Sequence, residues 1–189
     1  MGVEFELKYR ATEAIQAQLA QSMQTLRSIT METIYYDTPD QALSQRKYTL
    51  RRRLENGVSV CTVKTPAQNG GRGEWELEED RIEAAIPKLC KLGAPEDLEQ
   101  LTQAGVIPVC GARFTRRCAL VELGETTVEL ALDSGSLFSG ENTIPLCEIE
   151  VELKRGSWEQ AVAYGLLLQQ KYGLIPEKKS KFRRALALA

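Results

Sequence analysis

Three glutamates two residues apart, Glu148, Glu150 and Glu152, stand in the stretch PLCEIEVELK, with Ile149, Val151 and Leu153 between them. Near the other end of the chain, VEFELKYR sets Glu4, Glu6, Lys8 and Arg10 against Val3, Phe5, Leu7 and Tyr9. Strict alternation is the period of a β-strand, whose side chains point by turns to opposite faces. For one strand alone it describes an ordinary sheet with its charges in water. The design recurs, however: Arg72, Glu74, Glu76 and Glu78 oppose Trp75 and Leu77, and Glu129 and Asp133 oppose Val128, Leu130 and Leu132. Acids in a row on one strand face repel one another even at a surface, so cations must face them. Arg51 and Arg53 in YTLRRRLE, Lys64 ending VSVCTVK, and Arg116 in ARFTRR supply the positive charge, while parity leaves Arg117 undecided. Carboxylate clusters select hard divalent ions such as Mg²⁺ or Mn²⁺, and guanidinium groups grip phosphate oxygens in two-point contacts. The chemistry indicated is that of phosphates. It needs no P-loop, and the sequence has no G-x-x-x-x-G-K-[ST].

Composition narrows the means. Histidine is absent, which removes Ser-His-Asp and Cys-His catalysis and every imidazole ligand. The cysteines, Cys61, Cys90, Cys110, Cys118 and Cys147, are odd in number and without C-x-x-C spacing, against a disulfide framework or a zinc site. With 189 residues, 43% hydrophobic and a net charge of -2, the chain reads as one domain, 1–189, with no sign of a nucleic-acid or membrane partner. No apolar run approaches a membrane span and acids occupy the amino terminus where a signal peptide is apolar, so a cytoplasmic protein is expected.

The elements that must hold the charges follow from periodicity. Thr12 to Leu26 predicts an amphipathic helix capped by Thr12, with Ile15, Leu19, Met23 and Leu26 inward. Strands are expected over Thr30–Tyr36, Lys47–Glu55, Val58–Thr65 and Arg72–Arg81, with a hairpin turn at Asn56-Gly57 and a flexible loop at Gln68-Asn69-Gly70-Gly71. A helical middle, Ile82 to Gly105, is broken by Pro87, Gly93 and Pro95. Strands resume over Ala112–Leu123, Thr126–Asp133, Ser136–Ser139 and Ile144–Leu153, before a helix over Ser157–Tyr172 ended by Gly173 and another from Ser180. Short turns imply antiparallel pairing. The amphipathic helices need an apolar surface and the charges need one another, and both are met by an α+β fold: an eight-stranded antiparallel β-barrel with a charged interior and flanking helices. Lys178, Lys179, Lys181, Arg183 and Arg184 crowd the start of the last helix, where the helix dipole disfavours cations and a bound anion would remove the conflict.

Glu4-Phe5-Glu6-Leu7-Lys8 resembles the E-x-E-x-K signature of the CYTH superfamily, the triphosphate tunnel metalloenzymes. It is followed in order by YYDTP, Leu50-Arg51-Arg52-Arg53, Lys64, Arg72-Gly73-Glu74, Phe114-Thr115-Arg116, Leu132-Asp133, Cys147-Glu148-Ile149-Glu150 and Ser180-Lys181. Within that superfamily YYDTP, PLCEIEVEL and the closing S-K-x-x-R are most similar to the bacterial inorganic triphosphatases, in a stand-alone form. The resemblance implies a tunnel that binds triphosphate along its axis. It implies Glu4, Glu6, Asp133, Glu148 and Glu150 as ligands of Mg²⁺ or Mn²⁺, and Lys8, Arg51, Arg53, Lys64, Arg72, Arg116, Lys181 and Arg184 as the phosphate grip. Glu4, Glu6, Lys8 and Glu150 would be central to catalysis. Glu74 either belongs to the site or braces an arginine, and Glu76, Glu129 and Glu152 are ligands or salt-bridging wall. The implied reaction is hydrolysis of inorganic triphosphate to pyrophosphate and phosphate. The same residues also suit a nucleoside or thiamine triphosphatase, a class IV adenylyl cyclase, or a binder of polyphosphate without catalysis.

Overall fold

The structure, a computed structural model, describes residues 2–23, 25–67 and 71–189, the first two as backbone only. Residues 68–70, most of the expected loop, and the side chain of Val3 lie outside that description. Ten antiparallel strands form one sheet: β1 (Gly2–Glu4), β2 (Glu6–Arg10), β3 (Arg27–Asp37), β4 (Thr49–Glu55), β5 (Val58–Pro66), β6 (Arg72–Glu78), β7 (Ile107–Leu123), β8 (Thr126–Ser139), β9 (Asn142–Arg155) and the two-residue β10 (Ile175–Pro176). Their order is β1-β6-β5-β4-β3-β7-β8-β9-β2-β10. The strands near the two ends of that order belong to one segment: β1 pairs with β6, β2 pairs with β9, and only Phe5 separates them. At that break the Leu153 amide donates to the Phe5 carbonyl at 2.9 Å. Counting β1 and β2 as one interrupted strand, and setting aside the two-residue β10 that pairs beside β2, gives the expected eight around a central tunnel, with the seam bridged by a bent segment rather than a continuous ladder.

The outer faces carry two apolar layers. Helices α1 (Glu13–Ser22) and α5 (Trp158–Tyr172) flank β2, β8 and β9, where Tyr9, Leu19, Leu130, Leu132, Ile149, Val151, Ala161 and Leu168 are buried together. Helices α3 (Ile82–Lys91) and α4 (Asp97–Leu101) cover β4 to β6 through Leu50, Cys61, Val63, Ile82, Ile86, Leu89 and Leu98. Close approach is enforced at Gly165, where a Cβ would lie 2.5 Å from a Leu7 methyl and 2.6 Å from the Tyr9 hydroxyl. Thr12 caps α1 as expected, Ser157 caps α5, and Gly173 ends α5 in the left-handed conformation.

Several expectations are corrected. On β3, and on β7 at Phe114 though not at Arg116, the polarity is reversed: Ile29, Met31, Tyr35 and Phe114 point inward, while Glu32 and Arg113, paired at 3.3 Å, stand in water. No helix covers that outer face. Instead α6 (Lys181–Leu186) packs Phe182 and Ala185 against the inward apolar residues of β3, β7 and β8. The first helix ends at Ser22, because Met23 is already extended; Ile15, Leu19 and Met23 face the core as expected, and Gln16 is buried beside them. Strand β8 is continuous through Gly135, where a Cβ would meet the Arg113 carbonyl at 2.1 Å. A short helix α2 (Ala42–Gln45) has no periodic signal; the buried Asp37 carboxylate holds it by accepting from the Leu43 and Ser44 amides at 3.0 and 3.1 Å. Pro87 lies inside α3 on its exposed side, so the carbonyl it leaves unpaired faces water.

The two faces of β9 make opposite demands on substitution. Ile149→Asp forces a charge into the outer apolar layer and should leave the chain unfolded or aggregated, since an unpaired buried ion costs several kcal/mol. Glu152→Ala on the inner face should fold, with a thermal midpoint close to that of the wild type. A comparison of the two melting curves checks the assignment of faces.

Candidate functional site

The tunnel has an acidic wall and a basic wall, each a direct product of strand parity. On β9 the carboxylates of Glu148, Glu150 and Glu152 project inward. Register sets Asp133 of β8 opposite Glu148, and Lys8 and Glu6 of β2 opposite Glu150 and Glu152. Asp133, Glu148 and Glu150 are all buried and each brings an oxygen to within 4.8 Å of the others. Three cations meet them. Arg116 of β7 grips Asp133 at two points, 2.8 and 2.7 Å, and also bonds Glu150. Lys181, at the first turn of α6, reaches Asp133 at 2.8 Å, Glu150 at 2.7 Å and Glu148 as well, while Arg184 one turn on bonds Glu148.

Burial pushes the Glu148 carboxyl up from the ordinary 4.5 to about 7, with the pull of Lys181 opposing and the charge of Glu150 adding to the rise. Burial acts on Glu150 in the same sense, but there Lys181 and Arg116 prevail and hold it well below the usual carboxylate range. Lys181 is itself deep in the protein, and although burial disfavours its charge, Asp133, Glu150 and Glu148 raise its affinity for the proton. The ammonium therefore stays charged.

The facing wall comes from β4 to β6. Lys64 takes Glu4 at 2.5 and 2.6 Å and Glu74 at 3.2 Å; Arg51 is 3.5 Å from Glu74; Arg53 pairs with Glu55; and Arg72 donates to the Thr49 hydroxyl at 3.0 Å. These contacts leave donors over. The Nε atoms of Arg51 and Arg53 are buried with no hydrogen-bond partner among the described residues. Burial, and for Arg53 the neighbouring charge of Arg51, weaken the hold of Arg53 and Arg72 on their protons. An anion between the walls would relieve both conditions.

A cavity of about 340 Å³ occupies the tunnel. Glu4, Glu6, Lys8, Arg51, Arg53, Lys64, Arg72, Arg116, Glu150 and Lys181 all line it. Asp133, Glu148 and Arg184 do not reach its surface, and the two acids are fully buried beneath Lys181. The expected ligand set is thus brought together in two groups. Asp133, Glu148 and Glu150 surround Lys181, whereas Glu4 and Glu6 sit on the N-terminal segment, each with a lysine, Glu6 meeting Lys8 at 2.8 Å. Glu74 braces Arg51 and Lys64, and Glu76, Glu129 and Glu152 also line the cavity. Arg117 points outward, because the register runs unbroken through Arg116 and Arg117 in both flanking pairs and places Arg117 opposite Leu132. Arg27, Glu55 and Lys154 also line the cavity: Lys154 shares the inner face of β9 with the glutamates, as the alternation of PLCEIEVELK expects, Glu55 closes the expected strand after Arg53, and Arg27 lies before the expected start of β3. Gln16, behind Asp133, gives no signal in a charge pattern.

A barrel wall of alternating charge around a paired acidic and basic tunnel is the arrangement of the CYTH domain, and the model of that family matches residues 2–186. The chain belongs to this family. It is 31% identical over 161 residues to an inorganic triphosphatase of Haemophilus influenzae, an alignment covering 82% of this chain and 46% of the relative, so it spans about half the length of the curated relative it matches. Two solved structures share the fold: an adenylyl cyclase candidate of Hippeastrum described as having dominant triphosphatase activity (TM-score 0.65, 16% identity, 99% of this chain and 96% of that one), and a protein of Pyrococcus horikoshii OT3 (TM-score 0.65, 23% identity, 97% and 98%).

The raised Glu148 has a measurable consequence in metal-free protein. Between 4.5 and about 7 the folded chain keeps a proton that the unfolded chain has released, so stability falls as pH rises through that window. Glu148→Gln should flatten this part of a curve of unfolding midpoint against pH. The depressed Glu150 and Glu74 act in the other sense and in a separate window, as pH falls below the ordinary carboxylate range.

Proposed function

We propose that this tunnel hydrolyses inorganic triphosphate to pyrophosphate and phosphate with the help of a divalent cation. The observation that carries the reading is the pair Arg51 and Arg53, which line a cavity shared with carboxylates and whose buried Nε atoms have no hydrogen-bond partner among the described residues. An anion alone would satisfy the basic wall; a polyanion together with a cation satisfies both.

The donor set fits the cation. Asp133, Glu148, Glu150, Glu4 and Glu6 offer only carboxylate oxygens, the ligands of a hard ion such as Mg²⁺ or Mn²⁺. Such an ion supplies positive charge against phosphoryl oxygens. The protein's own groups do the rest. Arg51, Arg53, Lys64 and Arg72 hold the phosphate chain from one side, and Lys8 and Arg116 neutralise charge that builds on the departing pyrophosphate. Glu6, whose only ion pair among the described residues is with Lys8, keeps an oxygen free to orient water and accept its proton as the water oxygen bonds to phosphorus and the P–O bond to pyrophosphate breaks. Lys181 and Arg184 cannot serve the carboxylates and a phosphate at once. Lys181, which lines the cavity, would be released to hold phosphate if a cation held by Asp133 and Glu150 took over its part in balancing their charge.

Substrate choice follows from the open mouth, where Arg27, Arg53, Glu55, Glu129, Glu152 and Lys154 are charged. The rings that line the cavity, Tyr35, Phe114 and Phe182, belong to the apolar cluster closed by α6. Among the described residues no other ring lines the cavity, which favours bare triphosphate over a nucleotide or thiamine ester. A cytoplasmic setting is part of the proposal; no described helix is long and apolar enough to cross a membrane.

Phosphate release from triphosphate should need added Mg²⁺ or Mn²⁺ and stop in chelator, and Glu4→Gln and Glu150→Gln should each lose most of it while remaining folded. Full activity in chelator would overturn the metal assignment. Triphosphate should exceed ATP in kcat/KM by at least about tenfold, which needs only ~1.4 kcal/mol of differential transition-state binding. Arg51→Ala or Lys181→Ala should depress both substrates together. Equal use of ATP, or formation of cyclic AMP, would replace this reading with a nucleotide-using one.

A further inference from the structure

One fully buried polar side chain has no part in the chemistry described so far. Gln16 is 1% exposed and lies outside the tunnel, on the inward face of α1, where that helix packs on β8 and β9. Its side-chain Nε2 donates to the backbone carbonyls of Asp133 and Glu148, at 2.9 Å in each case. The primary amide has two protons, one for each carbonyl. Asp133 and Glu148 are direct cross-strand partners, and their carboxylates, on the other face, belong to the buried group completed by Glu150. Like charges placed opposite one another push their strands apart. The glutamine holds the same two residues together from behind.

The helix that carries it is fixed at this point. The Ala11 amide donates to the Cys147 carbonyl at 3.1 Å, beside Glu148, and Thr12 caps α1 by accepting from the Ile15 amide at 3.3 Å. Gln16 follows one turn later, its own amide bonded to the Thr12 carbonyl at 3.0 Å. An apolar residue of the same size would satisfy the surrounding layer and leave both carbonyls without this donor. We propose that Gln16 is a positioning residue of the site: it ties β8 to β9 at the step where Asp133 and Glu148 face each other, and so sets the separation of two of the carboxylates that receive the divalent cation. This rests on the metal-dependent reading above.

The test compares Gln16→Leu, which keeps bulk and removes both donors, with Leu19→Ala, a 2% exposed neighbour on the same helix whose side chain has no polar group to reach either carbonyl. Mn²⁺ binding to metal-free protein is measured directly by the paramagnetic resonance of free Mn²⁺, alongside thermal midpoints and triphosphate kinetics. Gln16→Leu should weaken Mn²⁺ binding at least about tenfold, the size of effect seen when a group behind a metal ligand is removed. It should also lower kcat while leaving triphosphate KM at saturating Mn²⁺ within about twofold. Leu19→Ala should lower the thermal midpoint at least as far and leave Mn²⁺ binding unchanged. If Gln16→Leu does not fold, Gln16→Met serves in its place. Equal Mn²⁺ affinity in wild type and the Gln16 variant overturns the proposal, as does an equal loss in Leu19→Ala. A wild type that binds no Mn²⁺ overturns the metal reading, and the proposal with it.

Discussion

Placing carboxylates at every second residue of a strand that faces a tunnel is possible only if cations meet them there. In water the repulsion between Glu148, Glu150 and Glu152 would be small; in a buried site it is large, and removing any one partner leaves an uncompensated ion. The rest of the structure depends on this compensation. Arg116 must be on the strand beside β8, and α6 must turn into the end of the barrel to bring Lys181 between three acids. The apolar inward faces of β3 and β7 then follow, since a helix entering the tunnel needs something to pack against, and Tyr35 and Phe182 lie with ring centroids 5.2 Å apart.

The same constraint divides the labour of the two walls. On the acidic side Asp133, Glu148 and Glu150 are met by Arg116, Lys181 and Arg184 within the protein. The basic side is left short of partners, with guanidinium donors unused and a cavity in front of them. In the proposed reading these groups are already positioned for an anion, so little reorganisation is required when it arrives.

Much of this was legible in the sequence wherever the two faces of a strand differ in polarity. On β2, β6 and β9 a one-residue slip would exchange charge for hydrocarbon, so parity alone assigns the inner face. It also placed Arg51, Arg53, Lys64 and Arg116. On β3 the contrast is absent: Ile29, Met31, Thr33 and Tyr35 alternate with Thr30, Glu32, Ile34 and Tyr36, so neither polarity nor the idea of a uniformly charged interior picks the right face. The insertion of α6 was invisible for a related reason, because a six-residue helix has too few turns to show which side is covered. Gln16 was hidden by its type. In a helix read by its apolar stripe, a glutamine counts as surface until its two acceptors are seen.

The break at Phe5 joins the first strand to two partners that lie far away along the chain. β1 meets β6 some seventy residues on, β2 meets β9 about twice as far away, and Lys181 reaches back to Asp133. Loops of that length close slowly, and the contacts that reward closure come only when both edges are in place. Until then β6 and β9 are exposed sheet edges, open to pairing with the wrong strand. The feature that seals the tunnel thus also makes its assembly late and all-or-none, with the charged interior and the last exposed edges removed from water in a single step.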